Sequence, residues 1–384
     1  MDPPALHAAV RAFVDDVVRP SVAGWDARDD LPGGVLERLV ALGLTGALVP
    51  AAHGGPGLGV ADLVPAWRTL SEGWISLTGA VNPTGLATAL LVRHGTPQQQ
   101  ARWLPPIAAG TVLASFSITE PQAGSDLGRI ETTARWAGPA RSGGLVLDGR
   151  KRWVAGGMSS DVVFLLAEVE GADRPSCVVL PAAGRGGPSW TLEEIDKLGY
   201  RGVESAAYRF DGHHAPQAEV LGGADAGLGA GAHQMLDALD VGRVNVACRA
   251  LGIVDRALAC AVRECTGREI GVGVLGDHTH AQLRVGEMVA RRAAVEALVA
   301  RAAVAVDARD GAARELTTAA KVVASDTAVW AVDRAARLAA SRSFAAGDEL
   351  ARLRRDAPQT QIGEGANDAL LLALAKPHLE GDQP

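Results

Sequence analysis

The sequence predicts an α+β multidomain fold. It comprises an N-terminal helical domain over residues 1–110, a middle antiparallel β domain over 111–225 and a C-terminal four-helix bundle over 226–384. Three observations carry that reading. Apolar residues recur once per helical turn up to about residue 110. From there to about 221 the pattern becomes short β-prone runs broken by Gly, Pro and Asp. Beyond about 226 come long Ala- and Arg-rich segments without internal proline, as a bundle of amphipathic helices requires.

In the first region Ala8, Val10, Phe13, Val14 and Val17 fall on one face, as do Val35, Leu36, Leu39, Val40 and Leu42. Prolines at 20, 32, 50, 83 and 97 divide the region into several helices, and Pro97 suits a helix start. The segment 53–59, with three glycines and a proline between His53 and Gly59, reads as a loop. In the middle region the strand-like runs are 112–119, 132–136, 144–147, 162–169, 177–180 and 206–210, with an Asp148-Gly149 turn signal. The C-terminal helical segments are 243–265, 280–308, 312–341 and 364–376.

A chain of 384 residues can build several domains with real cores. A formal net charge of −7 argues against nucleic acid or an anionic membrane as partner. Cys177, Cys248, Cys260 and Cys265 show no metal-type or disulfide-rich spacing, which points to a reducing, cytoplasmic setting. There is no signal-peptide pattern at the start and no run of about 18 apolar residues, so no membrane span is expected. Lys occurs only at 151, 197, 321 and 376 among 37 basic residues, a bias that reads as genomic composition.

Six stretches invite a chemical reading. Residues 116–126 run from a β-prone segment into Glu120-Pro121, the small turn Ala123-Gly124 and Ser125-Asp126. Proline ends the pairing, glycine permits close backbone approach, and the Thr119 and Ser125 hydroxyls face whatever binds there. The alternative is a plain surface turn. Trp153, between Lys151 and Gly156-Gly157, is either a stacking platform for a planar cofactor or a core residue. Glu364, between two glycines and just ahead of an apolar helix, is either a carboxylate favoured by the helix dipole or a base in a dry pocket. The formal GxGxxG at 271–276 follows a helical segment and so lacks the strand a dinucleotide fingerprint needs. His213-His214 and His278-Thr279-His280 lack partners at ligand spacing, so no metal is expected.

Taken together, these pieces resemble the acyl-CoA dehydrogenase family of flavoproteins over essentially the whole chain. The resemblance rests on the 53–59 glycine loop, Trp103-Leu104-Pro105 with Gly110, the 116–126 stretch, Lys151-Arg152-Trp153, residues 196–205, and Arg355-Asp356-Ala357 with Glu364-Gly365. It implies FAD as cofactor. Ile118 and Thr119 would meet the pyrimidine edge, Phe116 and Trp153 would flank the ring, and Ser125 would face the pyrophosphate. Ala155 occupies the place, usually hydroxyl-bearing, beside flavin N5, and Arg268 would reach a neighbouring subunit's FAD.

Glu364 falls on the catalytic base, while Asp240 and Arg243 match positions that contact the thioester's pantetheine or nucleotide. The implied reaction removes the α-proton and β-hydride of an acyl thioester. The implied partners are an acyl-CoA or acyl-carrier-protein thioester and an electron acceptor, an electron-transfer flavoprotein or oxygen. The assembly implied is a homo-oligomer or a hetero-oligomer with a related chain. Departures fall on the partner-facing side: Gly271, Thr279, Arg337 with Ala340-Ser341, and Ala366 replace the usual residues. They leave two explanations, a divergent homo-oligomer that holds FAD with different residues and an obligate partner in a hetero-oligomer. The alternatives to the acyl-CoA reading are a dehydrogenase of carrier-bound groups such as hydroxymalonyl or prolyl, and a catalytically silent structural subunit.

Overall fold

The protein is described by a computed structural model covering residues 2–381. Its N-terminal part is helical: α1 (Pro3–Phe13), α2 (Arg19–Arg28), α3 (Gly33–Ala41), α4 (Val60–Gly73), α5 (Ile75–His94) and α6 (Pro97–Ala108). Local chemistry sets several boundaries. Asp2 caps α1 by accepting from Ala5 N, and Thr96 and Gln99 form a reciprocal capping box that opens α6. Helix α5 revises the expectation about apolar runs. It is 20 residues long, with a mean hydropathy of 1.4, enough by length and composition to cross a membrane. It is also 83% buried inside the protein, where it packs on α4, α7 and the sheet. A core helix needs no polar face.

The middle part holds β1 (Ala114–Ser117), β2 (Thr133–Trp136), β3 (Leu145–Ala155), β4 (Val162–Val169), β5 (Ser176–Pro181), β6 (Trp190–Glu194), β7 (Ser205–Ala215) and β8 (Glu219–Val220). Their order is β6-β7-β3-β2-β4-β5-β8, with β1 also paired to β4. The sheet is mixed rather than purely antiparallel, because β1 and β2 both run parallel to β4. Strand β4 explains how the domain joins the helices. Val163, Leu165, Ala167 and Val169 face the domain's own core, beside Trp190, Tyr208 and Phe210. Val162, Phe164 and Leu166 face the large helical core. A strand buried on both faces reads as a continuous apolar run.

Helix α7 (Gly231–Gly267), 37 residues and about 55 Å long, is the spine of the C-terminal part. It packs against α4, α5, α8 (Thr279–Asp307) and α9 (Ala313–Ala339). The GxGxxG segment forms a two-stranded ribbon, β9 (Glu269–Ile270) with β10 (Gly273–Val274), in the link from α7 to α8. Helices α10 (Glu349–Ile362) and α11 (Asn367–Glu380) complete the chain. The fourth helical segment read at 364–376 therefore starts later than expected. Glu364 lies in the turn before it, and α10 was not anticipated.

Candidate active site

The α10–α11 turn is unusual in its backbone. Glu364 has φ +54° and Gly365 φ +103°. A left-handed non-glycine residue costs roughly 1–2 kcal/mol and persists only where its surroundings hold it. The holder here is Lys321 of α9. Its buried ammonium donates to Gln361 O (2.9 Å), Gly365 O (2.6 Å) and Asn367 Oδ1 (2.7 Å), gripping the turn on both sides of Glu364. Burial pushes Lys321 down to about 8, against the opposing pull of the Glu364 charge.

The Glu364 carboxylate points between α5 and α7. Oε1 accepts from Asn82 Nδ2 at 2.7 Å. On the other side it packs on Gly242, where a Cβ would come within 3.1 Å of Glu364 Cδ and 3.0 Å of Leu86 Cδ2. No cation lies within ion-pairing distance of this carboxylate among the described residues. The Glu364 N–H donates to no backbone acceptor among those residues either.

Asp240 and Arg243, one turn apart on α7, are both buried and bound to each other at 3.2 Å. Thr317 and Thr318 of α9 complete the pair, donating to Asp240 Oδ1 and accepting from Arg243 Nη1. Burial holds Arg243 below its ordinary range while Asp240 opposes the shift. Arg243 Nε is buried without a hydrogen-bond partner among the described residues.

The 116–126 stretch and β3 lie side by side. Arg152 N donates to Thr119 O at 2.8 Å, and Lys151 Nζ to Ile118 O at 3.1 Å. Beneath them is a buried ion pair, Lys151 Nζ to Glu120 Oε1 at 2.7 Å. The Glu120 carboxylate also accepts from the N–H groups of Glu131 and Thr132. Burial pushes Lys151 down to about 8, with Glu120 opposing. Burial pushes Glu120 up, but Lys151 and these hydrogen bonds outweigh it and leave the carboxyl below its usual range. The pair fixes the turn at Glu120-Pro121.

Above it, Trp153 is 52% exposed at φ +62°, Phe116 and Thr119 are half-buried, and Ser125 is exposed. Ala155, opposite Ser205 in β7, is half-buried beside Gly156 at φ +67°. An open indole, a second ring and a backbone edge on one shelf fit a planar heterocycle such as a flavin. Helix α5 connects this shelf to Glu364: Thr84 Oγ1 accepts from Ala114 N of β1, two residues from Asn82.

The structure thus gathers Phe116, Ile118, Thr119, Ser125, Trp153 and Ala155 on one side of α5, and Glu364, Asp240 and Arg243 near its other side. Arg268 is apart. It ends α7, about 37 Å of helix beyond Arg243, and donates to Leu338 O at 3.1 Å. His213 and His214 bond Ser189 and the Gly143 carbonyl, and no group of three potential metal ligands occurs among the described residues. The four cysteines are buried, and burial raises each thiol. Sequence reasoning missed Lys321, Asn82 and Gly242. The sequence signal for Lys321 was its rarity, as one of four lysines in the chain.

Family models for the N-terminal, middle and C-terminal domains of acyl-CoA dehydrogenase match residues 3–111, 115–213 and 229–379 in turn. This chain belongs to the acyl-CoA dehydrogenase family. The family comprises FAD-dependent oxidoreductases acting on CH–CH groups. The chain is 30% identical over 381 residues to (2S)-methylsuccinyl-CoA dehydrogenase of Cereibacter sphaeroides, covering 95% of itself and 67% of that protein. It is 29% identical to an acyl-CoA dehydrogenase of Bacillus subtilis strain 168, covering 98% and 97%. The solved butyryl-CoA dehydrogenase of Megasphaera elsdenii superposes with a TM-score of 0.89 at 26% identity over 98% of both chains.

Proposed function

We propose that this chain introduces an α,β double bond into an acyl thioester, with Glu364 as the base. The observation that carries the reading is the pose of Glu364, a carboxylate gripped by its backbone, touched by one neutral amide and resting on a glycine. A base held this way has one oxygen committed to Asn82 and the other free for a substrate proton. The Glu364 N–H has no acceptor among the described residues, so it can donate to the thioester carbonyl oxygen as negative charge gathers there. Phe116, Ile118, Thr119, Ser125 and Trp153 would hold FAD, with Ala155 beside them and Arg268 serving a neighbouring copy. Bound FAD supplies the acceptor for the β-hydride. The α-proton ends on Glu364, and the two electrons leave to a separate acceptor, an electron-transferring flavoprotein or oxygen.

Asp240 and Arg243 would border the route of the pantetheine arm, carried by CoA or a carrier protein in the cytoplasm. The test is anaerobic mixing of FAD-loaded protein with an acyl thioester. Loss of visible flavin absorbance is expected, and Glu364→Gln should keep the colour while slowing bleaching on the order of 10³-fold. Unchanged bleaching in that variant would remove Glu364 as the base.

A further inference from the structure

Arg249 of α7 is 2% exposed, and among the described residues no carboxylate lies within ion-pairing distance of it. Its two hydrogen-bond partners are neutral: Nε donates to Asn245 Oδ1 at 2.9 Å and Nη1 to the Tyr200 hydroxyl at 2.9 Å. A guanidinium cannot shed its proton, so an unpaired one in the interior carries a desolvation cost that only an anion offsets. Arg249 Nη2 has no protein acceptor among the described residues. Asn245 Nδ2 is buried and has no partner among the described residues. Flipping that amide would set its NH₂ against the guanidinium, so Arg249 itself fixes the orientation. The two groups left over are thus both donors, one turn apart on the same helix, as a carboxylate requires.

The surroundings are shaped to keep them there. Tyr200 sits at φ +57°, anchored by its N–H on Asp356 Oδ1 at 2.7 Å, and its ring lies 5.2 Å from the Arg249 guanidinium carbon. Its hydroxyl presses on α5 at Gly79, where a Cβ would fall 2.0 Å away. Gly79 is one turn before Asn82, and Gly242 is two turns before Arg249, each pair on one helix face. Asn82 and Gly242 both touch Glu364. Since Arg249 folds back onto Asn245, its guanidinium stands about one helical turn, roughly 5 Å, beyond the Glu364 layer.

Resting on the dehydrogenase reading above, we infer that Arg249, Asn245 and Tyr200 form a subsite for a carboxylate on the acyl group. The substrate class is then a short dicarboxylic acid carried as its monothioester. Roughly two to four carbons separate thioester and carboxylate, since that length spans the gap from the reacting carbon at Glu364 to the guanidinium.

The test separates binding from turnover. Calorimetric titration of FAD-loaded Glu364→Gln compares glutaryl-CoA and succinyl-CoA with butyryl-CoA. The carboxylated thioesters should bind about tenfold or more tightly. Adding Arg249→Met should abolish that preference, and Arg249→Lys should restore part of it. Equal affinities in the Arg249-containing protein, including no binding of any of the three, would overturn the subsite. So would a loss in Arg249→Met that falls equally on carboxylated and plain thioesters. The dehydrogenase reading fails on a different result: no thioester bleaches the flavin of the protein with Glu364 intact, whatever the binding preference.

Discussion

Glu364 depends on Lys321 for its pose, and the dependence can be measured through pH. Lys321→Met would orphan Gln361 O and Gly365 O and leave Asn367 Oδ1 with the Ser325 hydroxyl at 3.3 Å. The expected cost is about 2–4 kcal/mol in urea unfolding, with slower flavin bleaching because the base is no longer held. The ammonium titrates at about 8 in the folded protein against 10.5 in the unfolded chain. Between those values the unfolded chain binds more protons, so this group's contribution to stability rises with pH across that window and is flat below it. The unfolding free energy of the parent relative to Lys321→Met, from urea titrations, should therefore move in the parent's favour from pH 8 to pH 10, by at most about 3 kcal/mol. A constant difference would show that Lys321 is not held charged at a cost. Of the residues around this proposed base, Glu364 was singled out by its flanking glycines and the apolar helix after it, which left a helix-dipole carboxylate open until the family resemblance pointed to a base. Asn82, Gly242 and Arg249 were not, because they are ordinary positions on long helices and acquire meaning only when α5 and α7 are brought face to face.

At the scale of elements, the helix–sheet–bundle order could be read from the sequence because periodicity reports which face is buried. The pairing directions could not: β1 and β2 join β4 in parallel through tertiary contacts that no local turn signal encodes. Helix α10 escaped notice because its sequence is dominated by Arg, Gln and Asp, with Leu350, Leu353 and Ala357 its few buried apolar contacts. Glycine on the long helices separates packing from propensity. A Cβ at Gly252 of α7 would stand 2.6 Å from Ser71 Cβ and 2.8 Å from Glu72 N, so α4 and α7 touch through that gap. Gly252→Ala should destabilise by about 1–3 kcal/mol by forcing the helices apart. Gly286, within α8, is exposed, and a Cβ there would meet nothing within 4 Å. Gly286→Ala should stabilise by about 0.5–1 kcal/mol through helix propensity alone. Thermal or urea midpoints that move in the same direction for both variants would contradict this account of α4–α7 packing.

At the scale of the molecule, the residues proposed above to hold FAD do not all meet within one chain. The shelf at Phe116 and Trp153 lies against α5, whereas Arg268 is at the far end of α7 from Glu364. The surface offers a way to join them between copies. Leu283, Val289 and Val304 are exposed on α8, and Leu371, Leu372 and Leu379 on α11. Large aliphatic groups repeated along two helices favour burial against another protein surface. Light scattering should give a mass of at least twice the 39.5 kDa of the chain. Leu283→Glu combined with Leu372→Glu should shift the protein towards monomer, each buried charge opposing association. If Arg268 completes the site of a neighbouring copy, that monomer should also release FAD on gel filtration while Lys151, Glu120 and the 116–126 turn remain folded by circular dichroism. A monomer that retains its flavin in full would show that a single chain holds the cofactor without help, and would leave the Arg268 side chain with its hydrogen bond to Leu338 O among the described residues.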